Sequence, residues 1–429
     1  MSFQLPNTHT FVLPPVIDFY LLMNIDKEEH MTAKLQVQHL TKIFGRRIQR
    51  AEELVKEGKS KAEILKSVGA TVGVNDANFE VNDGEIFVIM GLSGSGKSTM
   101  IRMINRLIEP TSGKVLIDGE NLTDLDKKEL LNVRRNKMSM VFQNFALFPN
   151  RTIIENTAYG LEIKGVAKDE RLKKAHDALE LVGLHGYDDQ FPTQLSGGMQ
   201  QRVGLARALA NDSEILLMDE AFSALDPLNR KDMQDELLDL QENLHKTIVF
   251  ISHDLNEALR IGDRIMIMKD GEIVQTGTPE EILTQPADEY VEKFIEDVDR
   301  TKVLTASNVM IRPTFVNIDK DGPRIAMRRM RENEISSVYV VDSKRKFVGV
   351  VDAAHVMDLI KEKNRDLSSV VQRDVPTTSP DTPITEIMET ISQTPIPYAV
   401  VDGENHLLGI IIRGAVLGAI SGNEVTEDE

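Results

Sequence analysis

Eight consecutive residues have the composition of a loop that binds phosphate groups. The run Gly-Leu-Ser-Gly-Ser-Gly-Lys-Ser matches the phosphate-loop pattern without a gap. Glycines let the backbone wrap a triphosphate with its N–H groups pointing inward, and the lysine brings positive charge to the β and γ phosphates. The alternative is a chance turn rich in glycine and serine. We predict that the residues binding the nucleoside triphosphate are Gly91, Ser93, Gly94, Ser95, Gly96, Lys97, Ser98 and Thr99.

Two adjacent carboxylates, Asp219 and Glu220, have the chemistry that hydrolysis of the triphosphate needs. They follow the apolar run Ile215–Met218, which predicts a buried parallel strand. We expect Asp219 to hold Mg²⁺ together with the hydroxyl of Ser98, and Glu220 to polarise the attacking water. Many buried strands end in an acidic residue. The catalytic interpretation of this pair therefore depends on the phosphate loop and on the motifs around the pair.

A second helix start is also rich in glycine. The residues that mark it are Ser196, Gly197, Gly198 and Gln200, in the run Leu-Ser-Gly-Gly-Met-Gln-Gln-Arg. They open a helix predicted over Gln200–Ala210, whose N-terminus attracts anions. One chain hardly needs two such devices for one nucleotide, unless the second faces the nucleotide of a neighbouring copy. A helix start without a special role is the alternative.

Hydrophobic patterning predicts the elements that position these residues. Ile86–Met90 predicts a buried strand that enters the phosphate loop, and a helix follows from Thr99. Leu35–Phe44 predicts another strand, and residues 78–298 alternate strands and helices as an α/β domain does.

The C-terminal part contains an internal repeat. Residues 338–342 and 347–351 recur sixty positions later as residues 398–402 and 407–411. The positions in register are Asp342 with Asp402 and Gly349 with Gly409. The predicted divisions are a disordered extension or upstream start at 1–30, a nucleotide-binding domain at 31–297 with an insertion at 46–72, a repeat module at 303–422 with copies at about 303–363 and 364–422, and an acidic tail at 423–429.

Composition narrows the class of protein. The chain has 429 residues, no cysteine and a formal charge of −18. The acidic balance argues against a general nucleic-acid binder, which needs a basic face. The apolar run Phe11–Met23 is shorter than the ~20 residues that span a bilayer and is interrupted by Pro14, Pro15 and Asp18. If the protein acts at a membrane, we therefore expect it to associate with the membrane through partner proteins.

Together the motifs resemble the nucleotide-binding subunits of ABC transporters, over roughly Leu35–Pro286. Gln143 matches the family's Q-loop, which joins the metal site to the transmembrane partner. Ser196 opens the family signature, Asp226 ends the D-loop, and His253 matches the switch histidine that contacts the γ phosphate. Phe44 matches the aromatic residue that stacks on adenine, with a core or turn role as the alternative.

The resemblance implies a P-loop ABC ATPase cassette, a mixed sheet with a helical subdomain, followed by a smaller α/β module. It also implies ATP and Mg²⁺ as ligands, with Ser98, Gln143 and Asp219 at the metal, and Glu220 and His253 as catalytic residues. It further implies that two copies sandwich two ATP molecules and serve a transmembrane permease and a substrate-binding protein or domain. The expected location is peripheral, on the cytoplasmic face of the cell membrane.

Three features favour one group of transporters. The insertion at 46–72 is long, Ala221 stands where sugar importers commonly have proline, and the repeat resembles a tandem CBS module. These resemble the ATPases of glycine betaine/proline betaine osmoprotectant importers. The alternatives are an importer of another small solute (amino acid, choline or carnitine) and a soluble ABC ATPase that does not transport. A further reading makes the CBS pair the main function and the cassette its switch.

The repeat departs from the nucleotide-binding CBS pattern. Asp352 and His355 follow Gly349, whereas Ile412 and Ala415 follow Gly409. Simple binding of ATP or AMP is therefore not expected. In related osmoprotectant importers cyclic di-AMP binds between such modules and inhibits transport, which gives a regulatory hypothesis; a purely dimerising module is the alternative.

The insertion is predicted to be helical over Arg46–Ser67, with an interruption at Gly58. Its seven cations, Arg46, Arg47, Arg50, Lys56, Lys59, Lys61 and Lys66, outnumber the acidic residues Glu52, Glu53, Glu57 and Glu63. Such a patch over 46–66 could contact anionic lipid headgroups and sense ionic strength. A solvated helical hairpin is the alternative.

Overall fold

The computed structural model describes residues 33–296, 298, 300–391 and 396–421, which fall into two compact units. The first unit comprises the described residues up to 251 together with 268–273, and the second comprises 252–267 and the described residues from 274 onward. The predicted extension at 1–30 and acidic tail at 423–429 lie outside the described residues. Within the described ranges, no helix has both the length and the apolar character needed to cross a bilayer.

The elements of the first unit alternate as the sequence predicts. Its strands are β1 (Ala33–Phe44), β2 (Thr71–Asn82), β3 (Ile86–Met90), β4 (Ser112–Ile117), β5 (Glu120–Asn121), β6 (Met138–Phe142), β7 (Ile215–Asp219) and β8 (Thr247–Ile251). Its helices are α1 (Ile48–Lys56), α2 (Lys61–Val68), α3 (Lys97–Ile104), α4 (Lys127–Asn136), α5 (Ile153–Ile163), α6 (Lys168–Leu181), α7 (Gly197–Ala210) and α8 (Pro227–Leu244).

A parallel sheet brings the predicted site residues to one edge. Four strands lie in the order β3-β8-β7-β6, and every residue of β3, β7 and β8 is buried. Ile89 pairs with Ile251, Ile251 with Asp219, and Asp219 with Phe142. Because the strands are parallel and in register, the residues that follow them meet at their carboxyl ends.

A second, antiparallel sheet has the order β2-β1-β4-β5. The strand predicted at Leu35–Phe44 is confirmed, and it begins two residues earlier. The pairing of β1 with β2 ends at Phe44 and Thr71, between which the insertion emerges. The insertion forms α1 and α2, separated as predicted at Gly58, which adopts a φ of +74°.

The second unit and its boundary with the first contain eight further strands and eight further α-helices among the described residues. The strands are β9 (Arg264–Lys269), β10 (Glu272–Gly277), β11 (Phe315–Asn317), β12 (Ser337–Val341), β13 (Phe347–Asp352), β14 (Thr377–Thr378), β15 (Tyr398–Val401) and β16 (Leu407–Ile411). The helices are α9 (Leu255–Ile261), α10 (Pro279–Thr284), α11 (Glu289–Ile295), α12 (Ala306–Val309), α13 (Pro323–Glu332), α14 (Ala353–Lys361), α15 (Ile384–Ile391) and α16 (Arg413–Ser421).

The predicted repeat is confirmed as two three-stranded sheets, β11-β12-β13 and β14-β15-β16. Each sheet has a parallel first pair and an antiparallel second pair, and Gly349 and Gly409 occupy the same register position. Asp342 and Asp402 each accept two backbone N–H groups within a turn, at 2.8–2.9 Å. The repeated aspartates therefore fold the same turn in both copies.

Backbone hydrogen bonds join the two copies. The amide N–H of Phe347 donates to the carbonyl of Asn405 at 2.8 Å, and the N–H of Leu407 donates to the carbonyl of Arg345 at 3.3 Å. The copies also share one buried core, formed by Tyr339, Val341, Val350, Val375, Ala399 and Leu407. The repeat is thus one packed module.

Candidate functional site

The phosphate loop leaves β3 and enters α3, as the sequence predicts, although the helix begins at Lys97 rather than Thr99. Gly91, Gly94 and Gly96 have φ angles of +145°, +82° and +110°. A Cβ at Gly91 would lie 2.2 Å from the carbonyl oxygen of Met268. Only glycine fits this conformation, so the loop keeps its backbone N–H groups free of side chains that would block phosphates.

Lys97 is held inside this loop. Its Nζ donates to the carbonyl oxygens of Gly91 at 2.7 Å and Leu92 at 3.1 Å. Burial lowers the pKa of Lys97, while the charges of Glu220 and Asp219 oppose that shift. Phosphate oxygens are stronger acceptors than neutral carbonyls, so bound triphosphate would stabilise the ammonium form.

Ser98 and Asp219 come together across the sheet edge. The hydroxyl of Ser98 donates to Oδ1 of Asp219 at 3.2 Å, and Nη2 of Arg102 lies 3.4 Å from the other carboxylate oxygen. A hydroxyl and a carboxylate are the hard oxygen ligands that Mg²⁺ prefers, with water completing its shell. These residues therefore fit a magnesium ion. The contact with Arg102 is one that the sequence analysis missed.

Glu220 follows Asp219 in a left-handed conformation, with a φ of +49°. Its backbone N–H donates to the carbonyl of Ile251 at 3.2 Å, which fixes the turn at the end of β7. Nε2 of Gln143 donates to Oε2 of Glu220 at 3.3 Å and to the hydroxyl of Ser223 at 3.2 Å. The structure thus brings Gln143 to the predicted catalytic carboxylate.

Ser196 is the N-cap of α7, which begins at Gly197 and not at Gln200. Its hydroxyl accepts the backbone N–H of Met199 at 3.3 Å, and Nε2 of Gln200 donates to the carbonyl of Leu195 at 3.1 Å. Ser196 and Gly197 are exposed, whereas Gly198 is half-buried. This helix start is open to an external anion.

Asp226 caps α8. Its Oδ1 accepts the backbone N–H of Asn229 at 3.2 Å, and the hydrogen bonds from Asn229 hold the pKa of Asp226 below its usual range. Asp226 therefore fixes the start of α8.

Phe44 ends β1 and is 38% exposed. A Cβ on Gly73 would lie 2.8 Å from Cε2 of this ring, so glycine is needed for the ring to rest on the backbone. Nζ of Lys42 lies 5.1 Å from the ring centroid. The ring is only partly covered and keeps surface for a stacking partner.

His253 lies in the second unit, in the turn before α9. Its neighbour Ser252 donates its hydroxyl to a carboxylate oxygen of Glu257, and Asp254 caps the helix by accepting the N–H of Asn256 at 3.0 Å. The turn that carries His253 is therefore fixed by hydrogen bonds.

Comparison with known proteins assigns the chain to a family. The family model "ABC transporter" matches residues 74–223, and the model "CBS domain" matches residues 306–362 and 367–422. The glycine betaine/carnitine transport ATP-binding protein GbuA of Listeria monocytogenes is 67% identical over 393 residues, which are 92% of this chain and 99% of that protein. This chain belongs to the ATP-binding subunits of ABC transporters.

Two further proteins agree with this membership. The glycine betaine transport ATP-binding protein OpuAA of Bacillus subtilis is 59% identical over 94% of this chain and 95% of its own length. The structure of cbiO1 from Clostridium perfringens, part of the ABC transporter complex cbiONQ, covers 62% of this chain and 96% of its own, with 24% identity and a TM-score of 0.50. That likeness supports the fold of the cassette, and the α/β cassette with a tandem CBS module is confirmed.

Proposed function

We propose that this chain hydrolyses ATP to power the uptake of glycine betaine, or a related quaternary-amine osmoprotectant, through a membrane permease. The observation that carries the hydrolysis is the meeting of Lys97, Ser98, Asp219 and Glu220 at one sheet edge. The solute class follows from relatives that share nearly the whole chain, two of which are named for glycine betaine transport.

In the proposed reaction, the phosphate-loop amides and Lys97 bind the triphosphate, and Phe44 stacks on adenine. Water attacks the γ phosphorus, the bond to the β–γ bridging oxygen breaks, and ADP and phosphate result. Glu220 orients the water and accepts its proton, while Gln143 positions the carboxylate through the 3.3 Å contact. His253 is proposed to contact the γ phosphate because it matches the family's switch histidine.

Magnesium would be held by Ser98 and Asp219, with Gln143 as the third predicted ligand. Bound there, the ion neutralises charge that develops on the phosphates. The 3.2 Å approach of Ser98 to Asp219 supports this placement, because both oxygens already face each other.

A second copy completes each site. Ser196, Gly197, Gly198 and Gln200 of one protomer would cover the ATP held by the other, and Asp226 would lie along the same interface. The exposed start of α7 supports this arrangement. The permease would sense closure through the segment that follows Gln143. These contacts would place the subunit peripherally on the cytoplasmic face of the membrane, beside a permease that receives solute from a binding protein or domain.

Other solutes remain the competing proposal, because one relative is named for carnitine as well as glycine betaine. The test is the ATPase rate of the complex reconstituted in vesicles. We expect glycine betaine to stimulate it and Lys97→Ala to abolish it. Stimulation by choline, carnitine or an amino acid, with none by glycine betaine, would favour the alternative; turnover without any permease dependence would favour a soluble ATPase.

Cyclic di-AMP is proposed as a regulator of the CBS module. Oδ1 of Asp352 caps α14 by accepting the N–H of His355 at 2.9 Å, and Oδ2 accepts Nε2 of Gln372 at 3.1 Å. An aspartate occupied in this way is poorly suited to bind the ribose of AMP. With the ATPase site saturated with ADP, we expect calorimetric titration to give heat with cyclic di-AMP and none with AMP; no heat with either ligand would favour a dimerising module.

Lipid contact through 46–66 is also proposed. Arg46 and Arg47 are exposed, but Arg50 pairs with Glu53 at 2.6 Å and with Glu57 at 3.4 Å, which weakens the patch. Neutralising the three arginines should lower the salt concentration needed for activation in anionic vesicles. An unchanged salt curve would leave the insertion a solvated hairpin.

A further inference from the structure

The insertion is fixed close to the proposed nucleotide site. It leaves the sheet after Phe44, the proposed adenine contact, and returns at Thr71, which pairs with Phe44. A Cβ on Gly45 would lie 3.0 Å from Cα of Ala70, so the two ends of the insertion touch. The residues that pack it onto the sheet form a buried core of Ile43, Ala51, Leu54, Ile64, Ala70 and Val72. Both helices therefore have defined positions beside the adenine end of the site.

Lys61 extends from this insertion to the phosphate loop. It is the first residue of α2, after the cap Ser60. Nζ of Lys61 donates to the carbonyl oxygen of Gly94 at 3.2 Å. Gly94 lies in the middle of the loop that wraps the triphosphate. The insertion thus spans from the adenine-stacking ring to the phosphate end of the same site.

Lys61 has no part in starting its helix. The hydroxyl of Ser60 accepts the N–H of Glu63 at 3.3 Å, and the carboxylate of Glu63 accepts the N–H of Ser60 at 2.9 Å. This reciprocal cap satisfies the helix start by itself. The side chain of Lys61 is therefore available for another role, and its removal should leave α2 folded.

The partner of Lys61 differs from those of its neighbours. Arg50 and Lys59 lie near carboxylates of the insertion itself, at 2.6 Å from Glu53 and 3.9 Å from Glu63. The ammonium of Lys61 instead meets a neutral carbonyl, a weak partner for a full charge. A phosphate oxygen is a stronger acceptor and would draw the ammonium from Gly94 without moving the backbone.

We propose that Lys61 is a second nucleotide-binding cation, which contacts the phosphates of bound ATP in addition to Lys97. This assignment rests on the proposed ATP site and adds the insertion to it. The insertion then gives this chain a phosphate contact from outside the phosphate loop. Ionic strength would act on the contact directly, because the side chain is partly exposed and salt screens such charges.

The test is the affinity of the full-length chain for ATP, ADP and AMP, measured by titration with and without added salt. Lys61→Met removes the charge and keeps the length, Lys61→Arg keeps the charge, and Lys66→Met removes an exposed cation from the same helix. We expect Lys61→Met to weaken ATP binding about tenfold and AMP binding less, with a shallower salt dependence. Lys61→Arg should stay within about threefold of wild type, and Lys66→Met should be unchanged.

Several outcomes would overturn the assignment. Unchanged ATP affinity in Lys61→Met, or equal losses in Lys61→Met and Lys66→Met, would remove Lys61 from the site. Tighter ATP binding by Lys61→Met would mean that Lys61 holds the loop closed. If Lys97→Ala abolishes ATP binding while Lys61→Met does not weaken it, only this inference fails. A wild-type chain that binds no ATP would instead overturn the proposed function.

Discussion

At the scale of single residues, the candidate site places the ammonium of Lys97 near the carboxylates of Asp219 and Glu220. Lys97 is buried, and the desolvation that lowers its pKa is opposed by the carboxylates of Asp219 and Glu220. Its ammonium donates to the carbonyl oxygens of Gly91 and Leu92. In the proposed complex, phosphate oxygens would replace these neutral acceptors and would favour the charged form of Lys97.

The first prediction concerns Glu220. Glu220→Gln keeps the size and the contact with Gln143 but removes the carboxylate that we propose accepts the proton of water. We expect kcat for ATP hydrolysis to fall by at least about a hundredfold, with ATP still bound and the nucleotide-bound dimer accumulating. Turnover assays and size-exclusion chromatography with ATP would measure both effects. Substantial steady-state turnover by this variant would remove Glu220 from the catalytic role.

Most of these residues could be predicted because their signals are local. Gly91–Ser98 is a contiguous pattern, and Asp219 and Glu220 end a run of buried apolar residues. Lys61 was predicted only as part of a charged patch, since its contact with Gly94 joins parts of the chain whose proximity depends on packing of the insertion. The hydrogen bond between Gln143 and Glu220 likewise depends on the register of β6 with β7.

At the scale of elements, the segment after β6 is held in an uncommon conformation. Phe145 and Ala146 have φ angles of +55° and +49°, which cost about 1–3 kcal/mol each outside glycine. Arg207 of α7 donates to both of their carbonyls, at 3.0 and 2.7 Å. Burial lowers the pKa of Arg207. The helix that Ser196 opens therefore holds the segment that carries Gln143.

The second prediction follows for Arg207. Arg207→Met leaves the carbonyls of Phe145 and Ala146 without their charged donor, so Gln143 should lose its position against Glu220. We expect kcat to fall about tenfold to a hundredfold and the free energy of unfolding to fall by about 2 kcal/mol. The measurements are steady-state ATPase rates, thermal unfolding and ATP affinity.

A conservative substitution at Arg207 tests whether the hydrogen bonds of its side chain cause the effect. Arg207→Lys keeps the charge but has one nitrogen donor, so its kcat should lie between those of Arg207→Met and wild type. ATP affinity should change little, because Arg207 bonds to the carbonyls of Phe145 and Ala146, outside the phosphate loop. Wild-type kcat in Arg207→Met would show that the segment holds its conformation without this side chain.

Element types were predicted better than element boundaries. The insertion, the strand at β1 and the repeated strands follow from periodicity, and Gly58 separates the two insertion helices as expected. The helix at Gly197 begins earlier than predicted because its first two residues are glycines, which have low helix propensity. The helix at Lys97 also begins earlier than predicted, directly after its N-cap Gly96 in the phosphate loop. Such starts are set by the loop geometry that precedes them.

At the scale of the whole molecule, the proposal requires two copies for each reaction. The third prediction uses variants damaged on opposite sides of the shared site. Lys97→Ala and Ser196→Arg should each be inactive alone. Mixed before assay, half of the dimers combine both variants, and each mixed dimer has one intact site.

We therefore expect the mixture to recover up to about one quarter of the wild-type ATPase rate. Mixing either variant with wild type serves as the control for exchange of protomers. An inactive mixture in spite of demonstrated exchange would show that Ser196 does not act on the partner's nucleotide.

The hydrogen bonds between the two C-terminal copies have a consequence for any attempt to separate the copies. Each copy uses the other to cover a sheet edge near Phe347 and Leu407 and to bury part of its core. Cutting the chain between them would expose backbone groups and apolar side chains that invite aggregation. A truncated chain that carries only one copy should therefore be less soluble than one that carries both, and the pair is best transferred to another protein as a unit.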